Sequence, residues 1–257
     1  MIDLHCHLLP GIDDGARDLD QALTLARMAV ADGITHCVAT PHIHPGRYDN
    51  TLKSITTVFE QFKRELVKNE IHLRLGMAAE IRLSEDILSM VASGNVPYLG
   101  VWEGEKVLLL ELPHSHIPPG VEQLARWLFK QGIRPMIAHP ERNKDILRDF
   151  KKVLPLVRLG CLFQVTAGAV AGDFGEGPEV RARELLQQDM VTILATDAHH
   201  EVRRPPVLAK GRQAAEAIVG ESKSWELVRQ NPARLAATHF GVNRSTQEHA
   251  HADERSA

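Results

Sequence analysis

Short apolar runs alternate with longer amphipathic segments along the 257 residues, and this predicts an α/β fold of repeated β-α units around a mostly parallel sheet. Two further observations agree. Amphipathic segments stop at a glycine just before an apolar run at Gly33-Ile34, Gly132-Ile133 and Gly160-Cys161, so one event recurs: a helix ends and a strand begins. Residues able to hold a metal fall at or just past the carboxyl ends of apolar runs, the edge where βα loops converge in parallel α/β folds.

The apolar runs predict strands at Ile2–Leu4, Thr35–Ala39, His72–Met77, Lys106–Leu112, Arg134–Ala138, Cys161–Val165 and Val191–Ala195. Between them, residues 18–32 carry Ala22, Leu25, Ala26 and Ala29 at helical spacing, and residues 51–69 carry Ile55, Val58, Phe59, Phe62 and Leu66. Ser84 is the expected N-cap of a third helix, and helices follow over 120–131 and 143–159. Further helices are expected over 178–189, 205–219, 222–229 and 231–239, with Pro206 and Pro232 near two starts, where a missing N–H is harmless. One domain over residues 1–242 is predicted, followed by a polar tail, 243–257, that lacks periodicity and is expected to be disordered.

The stretch Met1–Gly15, MIDLHCHLLPGIDDG, places His5 and His7 at i and i+2, which on a strand points both imidazoles to one face and Cys6 to the other. Asp13 and Asp14 follow a Pro-Gly turn and bring hard oxygen ligands close to the nitrogen ligands. His42 follows the second strand, Glu80 the third, Glu111 ends the fourth, His139 the fifth, and Asp197 with His199 the seventh. Glu80 and Glu111 sit among apolar residues, where an unpaired carboxylate is costly unless it meets a cation. His36 and His72 lie near strand starts, at the wrong edge, and His239 reads as packing. His44, His114, His116 and His200 lie in the correct loops with no strand end to fix them.

Composition excludes several classes. A net charge of -3 and the lack of a basic block disfavour a general nucleic-acid or anionic-membrane surface. No apolar run is long enough to span a bilayer, and Met1 leads directly into the first strand, so a cytoplasmic protein is expected. The three cysteines are scattered in apolar contexts, as reduced thiols. A cysteine-dependent phosphatase needs an arginine six positions after its nucleophile, and those positions hold Ile12, Ile43 and Ala167.

The nine candidates His5, His7, Asp14, His42, Glu80, Glu111, His139, Asp197 and His199 exceed the needs of one ion and suit two or three. Imidazole and carboxylate without thiolate points to Mn, Fe or Zn. Clustered divalent ions are the usual apparatus for phosphate-ester hydrolysis. The negative charge of the transition state would fall to Arg142, three residues after His139, and to Arg203-Arg204 after His199.

The motifs HCH at 5–7, DDG at 13–15, TPH at 40–42, AEI at 79–81, AHPER at 138–142, TDAH at 196–199 and RRPP at 203–206 together resemble the PHP (polymerase and histidinol phosphatase) superfamily. They are most similar to its bacterial protein-tyrosine phosphatases of capsular and exopolysaccharide gene clusters. The resemblance covers about residues 1–240 and implies a distorted (β/α)7 TIM-like barrel with a trinuclear centre, commonly manganese, at the carboxyl ends of the strands. It implies that His5, His7, Glu80 and Asp197 hold one ion, Glu80, Glu111 and His139 a second, and Asp14, His42 and His199 a third. It further implies that Arg142 and Arg204 grip the phosphate and that Asp14 takes part in catalysis.

The expected reaction is attack of a metal-bridging hydroxide on phosphotyrosine without a phosphoenzyme. The substrate the resemblance implies is the tyrosine-rich tail of a membrane-associated autokinase that controls polysaccharide export. The rivals are a histidinol-phosphate or other small phosphomonoester phosphatase, a metal-dependent nuclease or polymerase-proofreading module, and a catalytically silent metal-binding regulator. DDG and RRPP weigh against the first, and the acidic balance against the second.

Overall fold

A computed structural model describes residues 1–241. The expected tail, and with it the domain boundary at 242, lies outside the described residues. The strands are β1 (Ile2–Cys6), β2 (His36–Ala39), β3 (His42–Ile43), β4 (Arg74–Met77), β5 (Glu80–Arg82), β6 (Gly100–Trp102), β7 (Glu105–Glu111), β8 (Ile133–Ala138), β9 (Leu162–Thr166) and β10 (Ile193–Ala195). They form two parallel sheets, β1-β2-β4 and β10-β9-β8-β7-β5-β3, with β6 antiparallel against β7.

The seven expected strands correspond to β1, β2, β4, β7, β8, β9 and β10. β3, β5 and β6 were not expected, because two or three residues are too few to show a period. β3 and β5 arise where the chain leaves β2 and β4 and pairs again in the second sheet, His42 opposite Glu80. Where β1 ends, Asp197 N donates to His5 O at 2.7 Å and His7 N to Ala198 O at 2.8 Å, so the two sheets also meet at their carboxyl ends.

The helices Leu19–Ala31 and Leu52–Lys68 match the sequence pattern, each N-capped by a side chain, Asp18 and Thr51. Ser84 is not a cap: the third helix, Asp86–Ala92, starts after Glu85 without a side-chain cap bond. The segment expected as one helix over 143–159 is broken into Lys144–Arg148, a 3-10 turn at Phe150–Val153 and Leu154–Arg158. Asp149 is extended there, with its side chain accepting from Lys151 N, and Pro155 has no N–H to carry a helix through. Pro206 precedes its helix, Ala209–Val219, rather than lying in the first turn. The segment expected over 231–239 divides into Asn231–Leu235 and Ala237–Phe240, with Pro232 in the first turn as expected.

Side chains separate into two cores. One lies between the sheets and the helices, and Cys6 and Cys37 belong to it. The other lies among strands of both sheets and gathers Ile2, Leu4, Val38, Leu109, Met136, Leu162 and Ile193 with Leu235 and Ala236. At the amino ends of the strands the Asn231–Phe240 segment packs across: His239 Nε2 meets Leu99 O at 3.1 Å, and Phe240 stands edge-on to His36.

Leu4 belongs to the inner core, yet its neighbour His5 faces the site and Cys6 the outer core. The pairing explains it. Asp3 opposes Cys37 and Cys6 opposes Ala39, so β1 spends one residue more than β2, a bulge that re-aims the strand as it reaches the site.

Candidate metal centre

β7 shows how the site is made. Val107, Leu109 and Glu111 alternate onto one face, the first two in the inner core and the third at the carboxyl end, where it meets other polar groups. β9 does the same with Leu162, Gln164 and Thr166. His139 and Asp197 follow β8 and β10 with φ of 33° and 52°, left-handed backbone that is unfavourable for non-glycine residues and turns both side chains inward.

Three groups of ligand atoms, each within 4.8 Å of one another, form here: His5, His7, Glu80 and Asp197; His7, Asp14, His42 and His199; and His42, Glu80 and Glu111. His5 Nε2 lies 3.2 Å from Glu80 Oε2 and 3.4 Å from Asp197 Oδ1. His139 falls outside these groups but its Nε2 is 2.7 Å from Glu80 Oε1. All nine sequence candidates are therefore brought to one place. In this arrangement His42, rather than His139, joins Glu80 and Glu111.

The hydrogen bonds fix which nitrogen of three histidines is free. His5 Nδ1 meets Gln164 Oε1 at 2.8 Å, and the same oxygen accepts from His139 N, so it is an acceptor and Nδ1 must donate. His7 Nδ1 meets Asp13 Oδ2 at 2.7 Å, and His199 Nδ1 meets the carbonyl of Asp197 at 2.8 Å. Whenever one of these rings is neutral its lone pair is therefore on Nε2, aimed into the cluster.

The donor set fits divalent cations. His42 Nδ1, Glu80 Oε2, Glu111 Oε2 and His199 Nε2 are buried and have no hydrogen-bond partner among the described residues. His42 Nδ1 and Glu80 Oε2 stand 3.1 Å apart but not in hydrogen-bonding geometry. Groups left so are costly unless something else satisfies them. Burial and the charge of Glu80 raise the Glu111 carboxyl, a like-charge repulsion that a cation between them relieves. Burial and Arg142 hold His139 down to about 3, and burial with His7 holds His199 down to about 4, so both stay neutral and able to ligate near pH 7. For Asp14 burial works upward, but the neighbouring imidazoles of His199 and His42 hold it well below the usual carboxylate range.

Arg142 Nη2 and Arg204 Nη1 reach Asp197 Oδ2 at 2.6 and 3.1 Å while Oδ1 faces the histidines. Arg142 is packed over Phe174, 5.2 Å from the ring centre. A cavity of about 120 Å³ opens between these arginines, Asp14, Glu111 and Tyr48, whose ring lies parallel to that of His42. His44 and His114 line it, and His114 stacks on His139. His200 accepts from Val202 N and His116 bonds Ser115, neither in contact with the ligand groups.

Sequence reasoning missed three residues at this site and placed a fourth differently. Asp13, read as an oxygen ligand beside Asp14, lies outside the three ligand groups, with its Oδ2 2.7 Å from His7 Nδ1. Gln164 was readable as a polar residue inside the apolar run CLFQV. Arg82 lines the cavity and pairs with Glu111 at 3.1 Å. Asp3 ties the first and last strands by accepting from Thr196 N and Oγ1.

The profile of the family described as capsular polysaccharide synthesis, CpsB/CapC, matches residues 1–237. The chain is 36% identical over 200 residues to tyrosine-protein phosphatase YwqE of Bacillus subtilis, covering 78% of each. It is 28% identical over 245 residues to tyrosine-protein phosphatase CpsB of Streptococcus pneumoniae, covering 91% of this chain and 98% of that one. A solved structure from work on YwqE of B. subtilis and CpsB of S. pneumoniae, called unique metal-dependent tyrosine phosphatases, superposes with a TM-score of 0.86. Its identity is 32%, over 93% of this chain and 95% of that one.

Proposed function

The chain belongs to the CpsB/CapC family of capsular polysaccharide synthesis, and from that premise we propose how its cluster of histidines, carboxylates and arginines works as a tyrosine-protein phosphatase centre. The protein is a metal-dependent phosphoric monoester hydrolase acting on phosphotyrosine proteins. The observation that carries the site reading is the set of buried, unpartnered nitrogen and oxygen atoms beside two arginines at one cavity.

His5, His7, Glu80 and Asp197 would hold one ion, Glu80 with Glu111 and His139 or His42 a second, and Asp14 with His42 and His199 a third; manganese is the expected metal, with iron or zinc also compatible with these ligands. When bound, the ions supply Lewis acidity and a deprotonated water near neutral pH. Arg142 and Arg204 turn their guanidinium forks from Asp197 to the phosphate oxygens and neutralise charge as the bond to the tyrosine oxygen breaks. Asp14, beside His42 and His199 at the cavity, is the side chain placed to pass a proton to the leaving oxygen. The leaving phenolate, with a pKa of about 10, makes little demand for an acid. Cys6, Cys37 and Cys161 are buried and take no part, in keeping with a route without a phosphoenzyme.

We also read the two sheets as arcs of one distorted (β/α)7 barrel, supported by the bonds from Asp197 and His7 that join β1 to the end of β10. Residues 1–242 form a single domain in this reading. The physiological substrate is the tyrosine-rich tail of a membrane-associated autokinase, dephosphorylated at the cytoplasmic face. Three free cysteines fit a reducing compartment, and among the described residues no helix is long and apolar enough to cross a membrane. Comparing turnover on a phosphotyrosyl peptide and on histidinol phosphate tests the assignment: the peptide is expected to win, and a large preference for histidinol phosphate overturns it.

A further inference from the structure

After His7 the chain makes a tight excursion and returns to it. Gly11 N donates to Ala16 O at 2.8 Å, and Ala16 N donates back to His7 O at 3.2 Å. Gly15 is pressed on His7 so closely that a Cβ there would lie 2.2 Å from His7 O and 2.5 Å from His7 Cβ. The fully buried side chain of Asp13 closes this loop. Its Oδ1 accepts from Gly15 N at 2.9 Å, while its Oδ2 accepts from His7 Nδ1 at 2.7 Å and from His42 N at 3.0 Å.

We propose that Asp13 is the positioning residue of the metal centre, setting the tautomer and tilt of His7 and the backbone of His42 with one carboxylate. The inference rests on the metal-site reading above. All three neighbours of Asp13 are donors, so two acceptor oxygens are required. A carboxamide has one acceptor oxygen: turned to His7 and His42, its NH2 opposes Gly15 N–H, and turned to Gly15, its NH2 opposes His7 Nδ1–H and His42 N–H. In the second orientation His7 is driven to carry its proton on Nε2, the atom that faces Glu80 and Asp197 at 3.4 and 3.5 Å. Outer partners of ligating histidines act in this way, and their loss typically lowers metal affinity about 10–100-fold. Asp14, next in sequence, has a different position: it is partly exposed and faces His42 Nε2 and His199 Nε2 instead.

The test is metal binding by the full chain without substrate, with Mn²⁺ and Zn²⁺ titrated against a chromophoric chelator and bound metal counted by elemental analysis. Asp13→Asn is expected to bind at least one ion about 10-fold or more weakly. The metal-free protein should stay folded with a Tm lowered by no more than several degrees, the cost of the opposed donors, and kcat should recover at high metal concentration. Gly15→Ala, which pushes on His7 from the other side, should weaken the same ion. Should Asp13→Asn fail to fold, Asp13→Glu keeps both acceptor oxygens at an altered reach and is expected to show the same selective loss. Wild-type affinity for every ion in a folded Asp13 variant overturns the proposal, as does equal weakening of all ions together with a metal-free Tm lowered by more than several degrees. A wild-type protein that binds no divalent ion overturns it with the metal reading. One that binds ions but does not hydrolyse phosphotyrosyl peptide removes the proposed function and leaves the Asp13 inference to be decided by affinity.

Discussion

The two ends of the same strands are built to opposite standards. At the amino ends the inner core is apolar and closed: Ile2, Leu4, Leu99 and Val107 pack against Leu235 and Ala236, and His239 there bonds the Leu99 carbonyl. At the carboxyl ends, within a few residues along each strand, buried histidines and carboxylates crowd together with atoms that have no partner among the described residues. Packing satisfies the first end by itself. The second is stable only because the strands beneath it hold it in place and because cations can complete it, so damage at each end should be read out differently.

The largest effect should come from removing the cations. Exhaustive chelation is expected to lower phosphatase activity by at least ~10³-fold, with the far-ultraviolet circular dichroism preserved and activity restored by Mn²⁺. Full activity in demonstrably metal-free protein would end the mechanism. Next, Arg142→Ala should lower kcat by ~10²–10³-fold on a phosphotyrosyl peptide while metal content stays at the wild-type level. If turnover is unchanged, the arginine belongs to the scaffold and not to the chemistry.

At the other end, Leu99→Ala should cost about 3 kcal/mol in denaturant unfolding, within the usual range for a buried leucine, and leave kcat of the folded fraction intact. Loss of metal binding in that variant would mean the two ends are not separable. Arg204 is more exposed than Arg142, 29% against 12%, and lies farther from Asp197, so Arg204→Ala should cost only ~10-fold in kcat. An effect equal to that of Arg142→Ala would contradict this ranking. Val202, 79% exposed on the loop that carries Arg204, provides the lower bound. Val202→Ser should shift stability by no more than about 0.5 kcal/mol, and a larger change would reveal a contact the structure does not contain.

The carboxyl-end placement of His5, His7, Glu111, His139, Asp197 and His199 was legible because strand alternation and strand ends leave a local trace. The pair Asp13-Asp14 was not. Two adjacent carboxylates look alike in sequence, and only the return of the loop onto His7 separates Asp13, buried against His7 Nδ1, from Asp14 at the cavity. The helix expected over 143–159 failed for a local reason that periodicity does not record, the extended Asp149 before Pro155. β3 and β5 carry His42 and Glu80 into register, yet each is too short to signal itself.

The sequence by itself determined the β-α alternation, the edge on which the candidate site residues lie, the absence of a cysteine nucleophile motif, and the types of the candidate ligands. These follow from residue chemistry and from periods of two or 3.6 that a chain shows within one element. The tertiary structure alone decided which nitrogen of His5, His7 and His199 faces inward, that His42 stands between two glutamates, and that Arg142 and Arg204 share Asp197. Each of those outcomes depends on a hydrogen bond, a bulge or a left-handed turn that sets direction to within an ångström, between residues far apart in the chain.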